Sequence, residues 1–207
     1  MSKLKTLVNN ANIYNLKKDE IDDYLKIEFD SFYEKLKFIF SNNKKSAYNI
    51  IKSEIYSNFE TNRYFNAKID NKIVGIIELV TKETVQKYKR SITNYFNNLG
   101  FFKGLKAYFL TFLDIPRIDN KTIYIDNLAV DINSRRKGIA KKMLSFAEEY
   151  GKNNKIKSLR LWVARKNNIA YILYKNFGFN KLVIRSSTIA KRYFGYRDWI
   201  YMGKEIS

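Results

Sequence analysis

The feature that most constrains this sequence is a strand–turn–helix segment at residues 126–142, D-N-L-A-V-D-I-N-S-R-R-K-G-I-A-K-K. A short apolar run ends at Val130, a polar turn follows, and a basic stretch punctuated by Gly138 opens a helix. The first turn of a helix presents unpaired N–H groups and a partial positive charge, so it favours phosphate groups. Gly138 would let the backbone approach such a ligand closely. The segment therefore predicts an anion-binding turn, and an ordinary solvated basic surface is the other interpretation.

Composition narrows the chemistry that is open to the chain. The 207 residues, 45% of them hydrophobic, suffice for one core, and no linker divides them, so we expect a single domain over residues 1–207. The absence of cysteine excludes disulfides, thiolate metal sites and cysteine nucleophiles. The absence of histidine removes the usual general base and leaves zinc only carboxylates, so we expect no metal. Acid–base chemistry must use Asp, Glu, Tyr, Lys or water.

The net charge of +19 has two interpretations. It indicates an anionic partner, such as nucleic acid, a membrane surface or a phosphorylated ligand, or it is a lysine-rich solvated surface. The cations are spread through the whole chain and no nucleic-acid motif occurs, which argues against nucleic acid. No run approaches the ~18 apolar residues of a membrane span, and the start of the chain lacks a secretory signal. We therefore expect a cytoplasmic protein with no membrane partner.

Hydrophobic periodicity predicts helices and strands in the first half of the chain. A tight turn at Asp70 and Asn71 would join two strands into a hairpin, and Gly75 suggests a bulge or a close backbone approach. The predicted elements are a short strand at 12–16, helices at about 19–40 and 45–59, and hairpin strands at 63–70 and 73–81.

Residues 82–115 fit no strand pattern and predict a helical insertion. Two short helices, at 84–99 and 101–113, would be broken at Gly100, and Pro116 would end the segment. The second helix is aromatic and strongly apolar. It is either a substrate-lining lid or dimer face, or one half of a helical pair that closes over the core.

The second half of the chain alternates strands and helices, which together with the first half indicates a mixed sheet with helices on both faces. Asn167 or Asn168 would cap a short helix that runs through Tyr174, and Gly151 would cap the longer helix before it. The predicted elements are strands at 121–130, 156–164, 179–187 and 197–204, the last two as a hairpin, with the longer helix at about 136–150.

Two segments together carry a family resemblance. The pattern R-x-x-G-x-A follows a strand ending in L-A-V, and N-N-I-A-Y-I-L-Y-K-N-F-G-F follows one strand later, at 167–179. In order and spacing, residues 121–180 resemble the GNAT superfamily of acyl-CoA-dependent N-acyltransferases. The hairpin at 68–79 and the closing strand near Tyr201 are also similar to that family, whereas the insertion is longer than the family's usual connection. The residues that carry the resemblance are Leu128 to Val130, Arg135, Gly138, Ala140, Asn167, Ala170, Tyr174, Gly178 and Phe179.

The resemblance implies an α/β fold whose mostly antiparallel sheet splays at a bulge, with acetyl-CoA entering the gap as co-substrate. The backbone of Leu128 and Val130 would bind the pantetheine, and the Val130 N–H would polarise the thioester carbonyl. The amides of 136–141 would hold the pyrophosphate, and the Asn167 side chain would contact the pantetheine arm. The implied acetyl-CoA-binding residues are Leu128, Ala129, Val130, Arg135, Arg136, Lys137, Gly138, Ile139, Ala140, Lys141, Asn167, Ala170 and Tyr174.

The resemblance also implies catalytic roles. Tyr174 would protonate the departing CoA thiolate, unless it only packs in the core with its hydroxyl satisfied. The base would be Asp126, on the strand before the turn, or Glu78, on the hairpin, and each could equally be an ordinary ion-paired carboxylate.

These observations predict a transferase, an N-acetyltransferase that moves acetyl from acetyl-CoA to a primary amine by direct attack. The acceptor would be a small-molecule or peptide amine, and the protein would act as a monomer or a homodimer. Two alternatives stay open. One is a non-catalytic acyl-CoA-binding module of the same fold, and the other is a nucleic-acid-binding protein.

Overall fold

The structure is a computed structural model that describes residues 11–59, 62–112 (backbone only at 112) and 118–206. Pro116 and the end of the predicted helix at 101–113 lie outside the described residues, as does the start of the chain, for which we expected no secretory signal. Both halves of the candidate site lie within them.

The described residues form seven strands and eight α-helices, in an order close to the predicted one. The strands are β1 (Asn12–Asn15), β2 (Tyr64–Ile69), β3 (Lys72–Val80), β4 (Thr122–Val130), β5 (Ser158–Ala164), β6 (Asn180–Ser186) and β7 (Asp198–Glu205). The helices are α1 (Ile21–Ile39), α2 (Lys44–Ser57), α3 (Lys82–Lys87), α4 (Ile92–Leu99), α5 (Phe101–Phe112), α6 (Ile139–Asn153), α7 (Asn168–Asn176) and α8 (Thr188–Phe194).

All seven strands belong to one sheet with the order β1-β2-β3-β4-β5-β7-β6. Every neighbouring pair is antiparallel except β4 and β5, which are parallel. Helices α6 and α7 pack their apolar side chains on one face of the sheet, and α1, α2, α4 and α5 pack on the other. The predicted mixed, mostly antiparallel sheet with helices on both faces is therefore confirmed.

The β2–β3 hairpin forms as its turn residues predict. Asp70 and Asn71 both have positive φ, at 49° and 62°, which is the conformation that a tight two-residue hairpin turn requires. Gly75 lies against α6, because a β-carbon there would come within 2.9 Å of the Met143 Cε atom. The expected close backbone approach is thus present.

Three elements differ from the predictions. Gly151 does not cap α6, because that helix continues to Asn153, and Gly151 instead lets Ile206 pack against the helix. The insertion forms three helices, since the chain leaves helical geometry between Tyr88 and Ser91. Strands β6 and β7 pair antiparallel as the predicted hairpin, but helix α8 forms their connection. The cap of α8 is the Ser187 hydroxyl, which accepts from the Ala190 N–H at 3.1 Å.

The sheet opens in its middle, between β4 and β5. These strands pair only at Thr122–Tyr124 and Ser158–Arg160, so the rest of β4 has no partner on that side. At the same level a bulge shifts the register of β4 against β3, because Asp126 and Asn127 together face Glu78. This splayed pair of strands positions the candidate site.

Candidate active site

The gap between β4 and β5 is a cavity of about 680 Å³, which we call the strand cleft. It is lined by Asp126 and Leu128 of β4, by Val163 of β5, and by Asn167 and Tyr174 around α7. The two sequence segments that carry the family resemblance therefore face each other across one cavity.

Backbone groups of β4 point into the strand cleft. The Asp131 N–H bonds to the Val74 carbonyl of β3 at 3.0 Å. Because successive residues of a strand turn their N–H and C=O groups to opposite edges, those of Leu128 and Val130 point away from β3, towards the gap. By the same alternation, the N–H and C=O groups of Ala129 face β3, and its methyl group is buried in the core on the α1 side of the sheet.

The turn after β4 has the conformation of an anion-binding turn. Arg136 and Gly138 both adopt positive φ, at 60° and 77°, and Gly138 is the N-cap of α6. No side chain caps this helix, and its first turn holds no acidic residue. The N–H groups of the first turn, from Ile139 to Lys141, are therefore available to a ligand, and the helix dipole favours an anion.

Two of the cationic side chains of the turn form hydrogen bonds within the turn. The Arg135 Nε donates to the Val130 carbonyl at 3.0 Å, and the Lys137 Nζ donates to the Asn133 carbonyl at 2.9 Å. Arg136 and Lys141 are exposed at the same turn, whereas the side chain of Ile139 is buried in the core. The positive charge predicted for a phosphate site is thus present, but part of it also shapes the loop.

On the opposite wall of the strand cleft, Asn167 caps α7. Its Oδ1 accepts from the Ala170 N–H at 3.1 Å, and the residue lines the strand cleft. The predicted choice between Asn167 and Asn168 as the cap is therefore settled in favour of Asn167.

Tyr174 lies one helical turn beyond Ala170 and is 8% exposed, at the wall of the strand cleft. Its ring packs on Phe179 at 5.8 Å between centroids. Among the described residues, none forms a hydrogen bond with its hydroxyl group. Burial raises the pKa of Tyr174 to about 12, so the hydroxyl carries its proton at neutral pH. It is a neutral donor at the cleft.

A second cavity, of about 670 Å³, lies on the α1 side of the sheet, and we call it the helical cavity. Its wall combines Glu28 of α1, Glu54 of α2, Glu78 of β3 and the inserted segment at 85–111. The two cavities meet at the bulge of β4, because both are lined by the same four residues. These are Phe32, Lys35, Asp126 and Asn127.

A buried charge cluster occupies this junction. Arg63, which is 7% exposed, forms an ion pair with Glu78, and its Nη2 lies 3.5 Å from the Asp126 Oδ2. The Asn127 Nδ2 donates to the Glu78 Oε2 at 2.8 Å. The nearby carboxylates raise the pKa of Arg63 against the opposing effect of burial, so the guanidinium stays charged. Both carboxylates predicted as bases are therefore partners of one arginine.

Replacing the arginine should destabilise the fold. In Arg63→Met, Glu78 and Asp126 would lose their shared cation inside the protein, and leaving buried charge unpaired costs about 3 kcal/mol or more. Urea denaturation of the variant should show that loss, whereas Arg192→Met, at an exposed arginine, should match the wild type. A loss below about 1 kcal/mol, the range of an exposed pair, would contradict the buried cluster.

Glu28 also faces the junction, and sequence reasoning missed it. It lies in the middle of α1, is 7% exposed, and its Oε1 is 3.4 Å from the Asn127 Nδ2. Burial first, then the charges of Glu78 and Asp126, raises the pKa of Glu28 to about 8. The signal that could have found it is its place on the apolar stripe of α1, one turn after Tyr24.

The raised pKa of Glu28 predicts a pH-dependent stability. The folded state holds a proton that the unfolded chain loses near its ordinary pKa of 4.5, so the stability falls as pH rises from about 4.5 to about 8. Glu28→Gln removes this effect. The unfolding free energy of the variant, relative to that of the wild type, should therefore rise by a few kcal/mol between about pH 4.5 and pH 8. Above about pH 8 this difference should stay constant. A difference that stays constant with pH would show that Glu28 is ionised throughout.

The insertion closes the helical cavity. The Tyr95 hydroxyl, on α4, donates to Glu54 at 2.6 Å, and the Tyr88 hydroxyl donates to the same carboxylate at 2.9 Å. On the outer side of α5, Phe102 and Phe109 are 84% and 61% exposed. The inner face of the insertion thus lines a cavity, as a lid would, while its outer face presents aromatic surface.

One protein-family model matches most of this chain. The model of the acetyltransferase (GNAT) family matches residues 29–179, which hold both cavities' shared residues, the turn and Tyr174. The chain belongs to the GNAT family. The expected family resemblance is thereby confirmed, and an acetyltransferase activity is the general function that this family supports.

Solved structures of acetyltransferases share the fold of this GNAT chain. Ard1 from Thermoplasma volcanium is similar with a TM-score of 0.62 and 14% identity, over 96% of this chain and 99% of that one. The ribosomal-protein-S18-alanine N-acetyltransferase from Escherichia coli is similar with a TM-score of 0.54 and 16% identity, over 95% and 94%. PaiA N-acetyltransferase from Thermoplasma acidophilum, solved in complex with coenzyme A, is similar with a TM-score of 0.56 and 16% identity, over 94% and 98%.

Two negative results accompany these similarities. No curated protein matches the sequence. Within residues 11–59, 62–112 and 118–206, none of the helices is long and apolar enough to cross a membrane.

Proposed function

We propose that this GNAT protein is an N-acetyltransferase that moves acetyl from acetyl-CoA directly to the primary amine of a small-molecule or peptide acceptor. The observation that carries the proposal is the continuity of the site along β4. The turn with the uncapped helix start follows Val130, the strand cleft lies alongside Leu128, and Asp126 lines both the cleft and the helical cavity. A phosphate site, a slot for an extended chain and a second substrate cavity thus stand in the order that acetyl transfer needs.

The residues present fit acetyl-CoA. The open edge of β4 offers backbone groups of Leu128 and Val130 to an amide-containing arm, as an added strand would use them. The first turn of α6 offers N–H groups and the charge of Arg136 to a pyrophosphate. Asn167 completes the wall of the slot, because its Oδ1 caps α7 while its Nδ2 remains for the pantetheine.

The chain's own groups would supply two catalytic effects. The Val130 N–H, held in the gap, would stabilise the oxyanion that develops on the thioester carbonyl, and one such donor contributes about 3 kcal/mol. Tyr174, which is neutral and lines the cleft, would give its proton to the departing thiolate. The base that receives the amine's proton would come from the carboxylates at the junction, and Asp126 and Glu78 are the two that the sequence predicts.

Direct attack is favoured over an acyl-enzyme because the sequence has no cysteine and no histidine to activate a serine. The acceptor would enter through the helical cavity, whose volume of about 670 Å³ suits a small molecule or the end of a peptide. With both substrates varied, initial rates should give intersecting reciprocal lines, because a ternary complex forms. Parallel lines would indicate an acyl-enzyme and contradict direct attack.

The alternatives predict different measurements. A non-catalytic acyl-CoA-binding module would bind acetyl-CoA in calorimetry but would release no CoA with any amine. A nucleic-acid-binding protein would bind DNA or RNA tightly at about 0.2 M salt, where nonspecific attraction to phosphates is weak. We expect neither result.

A further inference from the structure

Glu28 differs from the other two carboxyl groups at the junction, because no salt bridge joins it to a cation of the described residues. Within the described residues, no lysine or arginine forms a salt bridge with it, whereas Glu78 and Asp126 both pair with Arg63. A carboxylate bound to a guanidinium is held in its ionised form, which makes it a weak proton acceptor. The charge cluster therefore distinguishes two carboxyl groups that are bound to Arg63 from Glu28, which is not bound to it.

The position of Glu28 suits a group that meets the acceptor. It projects from α1 into the wall of the helical cavity and reaches the bulge of β4, where its Oε1 lies 3.4 Å from the Asn127 Nδ2. Asn127 lines both cavities, so Glu28 stands at the wall that they share. An acceptor amine held in the helical cavity would approach the strand cleft at this wall.

The charges that act on Glu28 lie on α1, on β3 and β4, and just before β2. Glu78 on β3 and Asp126 on β4 disfavour its ionised form, whereas Lys35 on α1 and Arg63, just before β2, favour it. Tyr24, one turn earlier on α1, is buried and neutral. The result, a pKa of about 8, is matched to accepting a proton near neutral pH. An arriving ammonium group would add a further charge that favours the ionised carboxylate.

We propose that Glu28 is the general base of the reaction, and that the acceptor's ammonium binds among Glu28, Asp126 and Asn127 at the junction of the two cavities. The inference rests on the proposed function. The ammonium gives one proton to Glu28, and the freed lone pair forms the C–N bond with the thioester carbonyl carbon. The C–S bond breaks, the thiolate takes its proton from Tyr174, and a second N–H proton, lost through solvent, restores Tyr174. Glu28 then releases its proton to solvent.

The test is the pH dependence of kcat/KM for Glu28→Gln, measured with acetyl-CoA and an amine that supports CoA release. In the wild type, kcat/KM should decrease as the pH falls below about 8 (the acid limb), because Glu28 then becomes protonated. In the variant, only the unprotonated amine reacts, so the limb should move towards the amine's own pKa, about 10 for an alkylamine. Near neutral pH, kcat/KM should fall about 10²-fold.

Matched variants make the outcome specific. Asp30→Asn changes an exposed carboxyl on the same helix and should keep the wild-type profile. Acetyl-CoA affinity of Glu28→Gln in calorimetry should equal that of the wild type, which separates lost chemistry from misfolding. Glu28→Asp should recover part of the rate and restore the lower limb.

Three results would overturn the assignment. An unchanged profile in Glu28→Gln would remove Glu28 as the base. Loss of the acid limb in Asp126→Asn or Glu78→Gln, with Glu28→Gln unaffected, would move the role to that residue. A wild-type protein that binds acetyl-CoA but releases no CoA with any amine would refute the proposed function itself, and with it the need for a base.

Discussion

Gly138→Glu is expected to bind acetyl-CoA at least about 10³-fold more weakly than the wild type. Gly138 is the N-cap of α6 with φ of 77°, a left-handed conformation that costs a side-chain-bearing residue about 1 kcal/mol. That strain lowers the stability of the fold and not the affinity. The new carboxylate would stand where the helix N–H groups meet the pyrophosphate, and each charge-assisted hydrogen bond lost there costs roughly 2 kcal/mol. Losing two of them weakens binding by about 4 kcal/mol, a change that isothermal calorimetry would register as lost heat.

A second glycine separates strain from lost contacts. Gly100 has a similar φ of 74°, lies outside the strand cleft, and has open space where a side chain would project. Gly100→Glu should therefore share the backbone strain and keep acetyl-CoA affinity. Unchanged affinity in Gly138→Glu would place the pyrophosphate elsewhere and refute the assignment of the turn.

Tyr174→Phe is expected to lower kcat about 10³-fold while acetyl-CoA affinity changes by less than about threefold. The substitution removes only the hydroxyl, which the described residues leave without a hydrogen-bond partner, and keeps the ring packed on Phe179. The thiolate would then depart without a proton donor, so the loss appears in turnover. Steady-state kinetics with calorimetry on the same preparation measures both quantities.

The matched control is Tyr171→Phe, at a partly buried tyrosine on the same helix that does not line the strand cleft. It should keep both turnover and affinity. Equal turnover in Tyr174→Phe and the wild type would leave Tyr174 as a core residue and remove its role as the acid.

Local sequence patterns predicted the parts of the site that depend on neighbouring residues. A glycine at a helix start, as at Gly138, and an asparagine before a helix, as at Asn167, carry their own conformational preference, and both adopt it. The hairpin turn at Asp70 and Asn71 is predictable for the same reason. The cap predicted at Gly151 was wrong for a non-local reason, because Ile206, distant in the sequence, packs against that glycine.

The charge cluster depends on contacts that no local pattern reveals. Arg63 precedes β2, yet it pairs with a residue of β3 and with a residue on the bulge of β4. The bulge itself turns both Asp126 and Asn127 towards one junction, which strict alternation along a strand would not do. Glu28 stood on a stripe of apolar residues that the helical pattern assigned to the core, so its carboxyl could be identified only once β3 and β4 were placed beside α1.

Amine-dependent release of CoA tests most directly whether the protein transfers acetyl from acetyl-CoA to an amine. Calorimetry would first show that the protein binds acetyl-CoA. The protein would then be incubated with a panel of small-molecule and peptide amines, while free thiol is recorded and the masses of the products are measured by mass spectrometry. We predict that at least one primary amine releases CoA and gains one acetyl group for each CoA released, and that Tyr174→Phe suppresses both. Binding of acetyl-CoA without thiol release from any amine would contradict the account and favour a non-catalytic acyl-CoA-binding module.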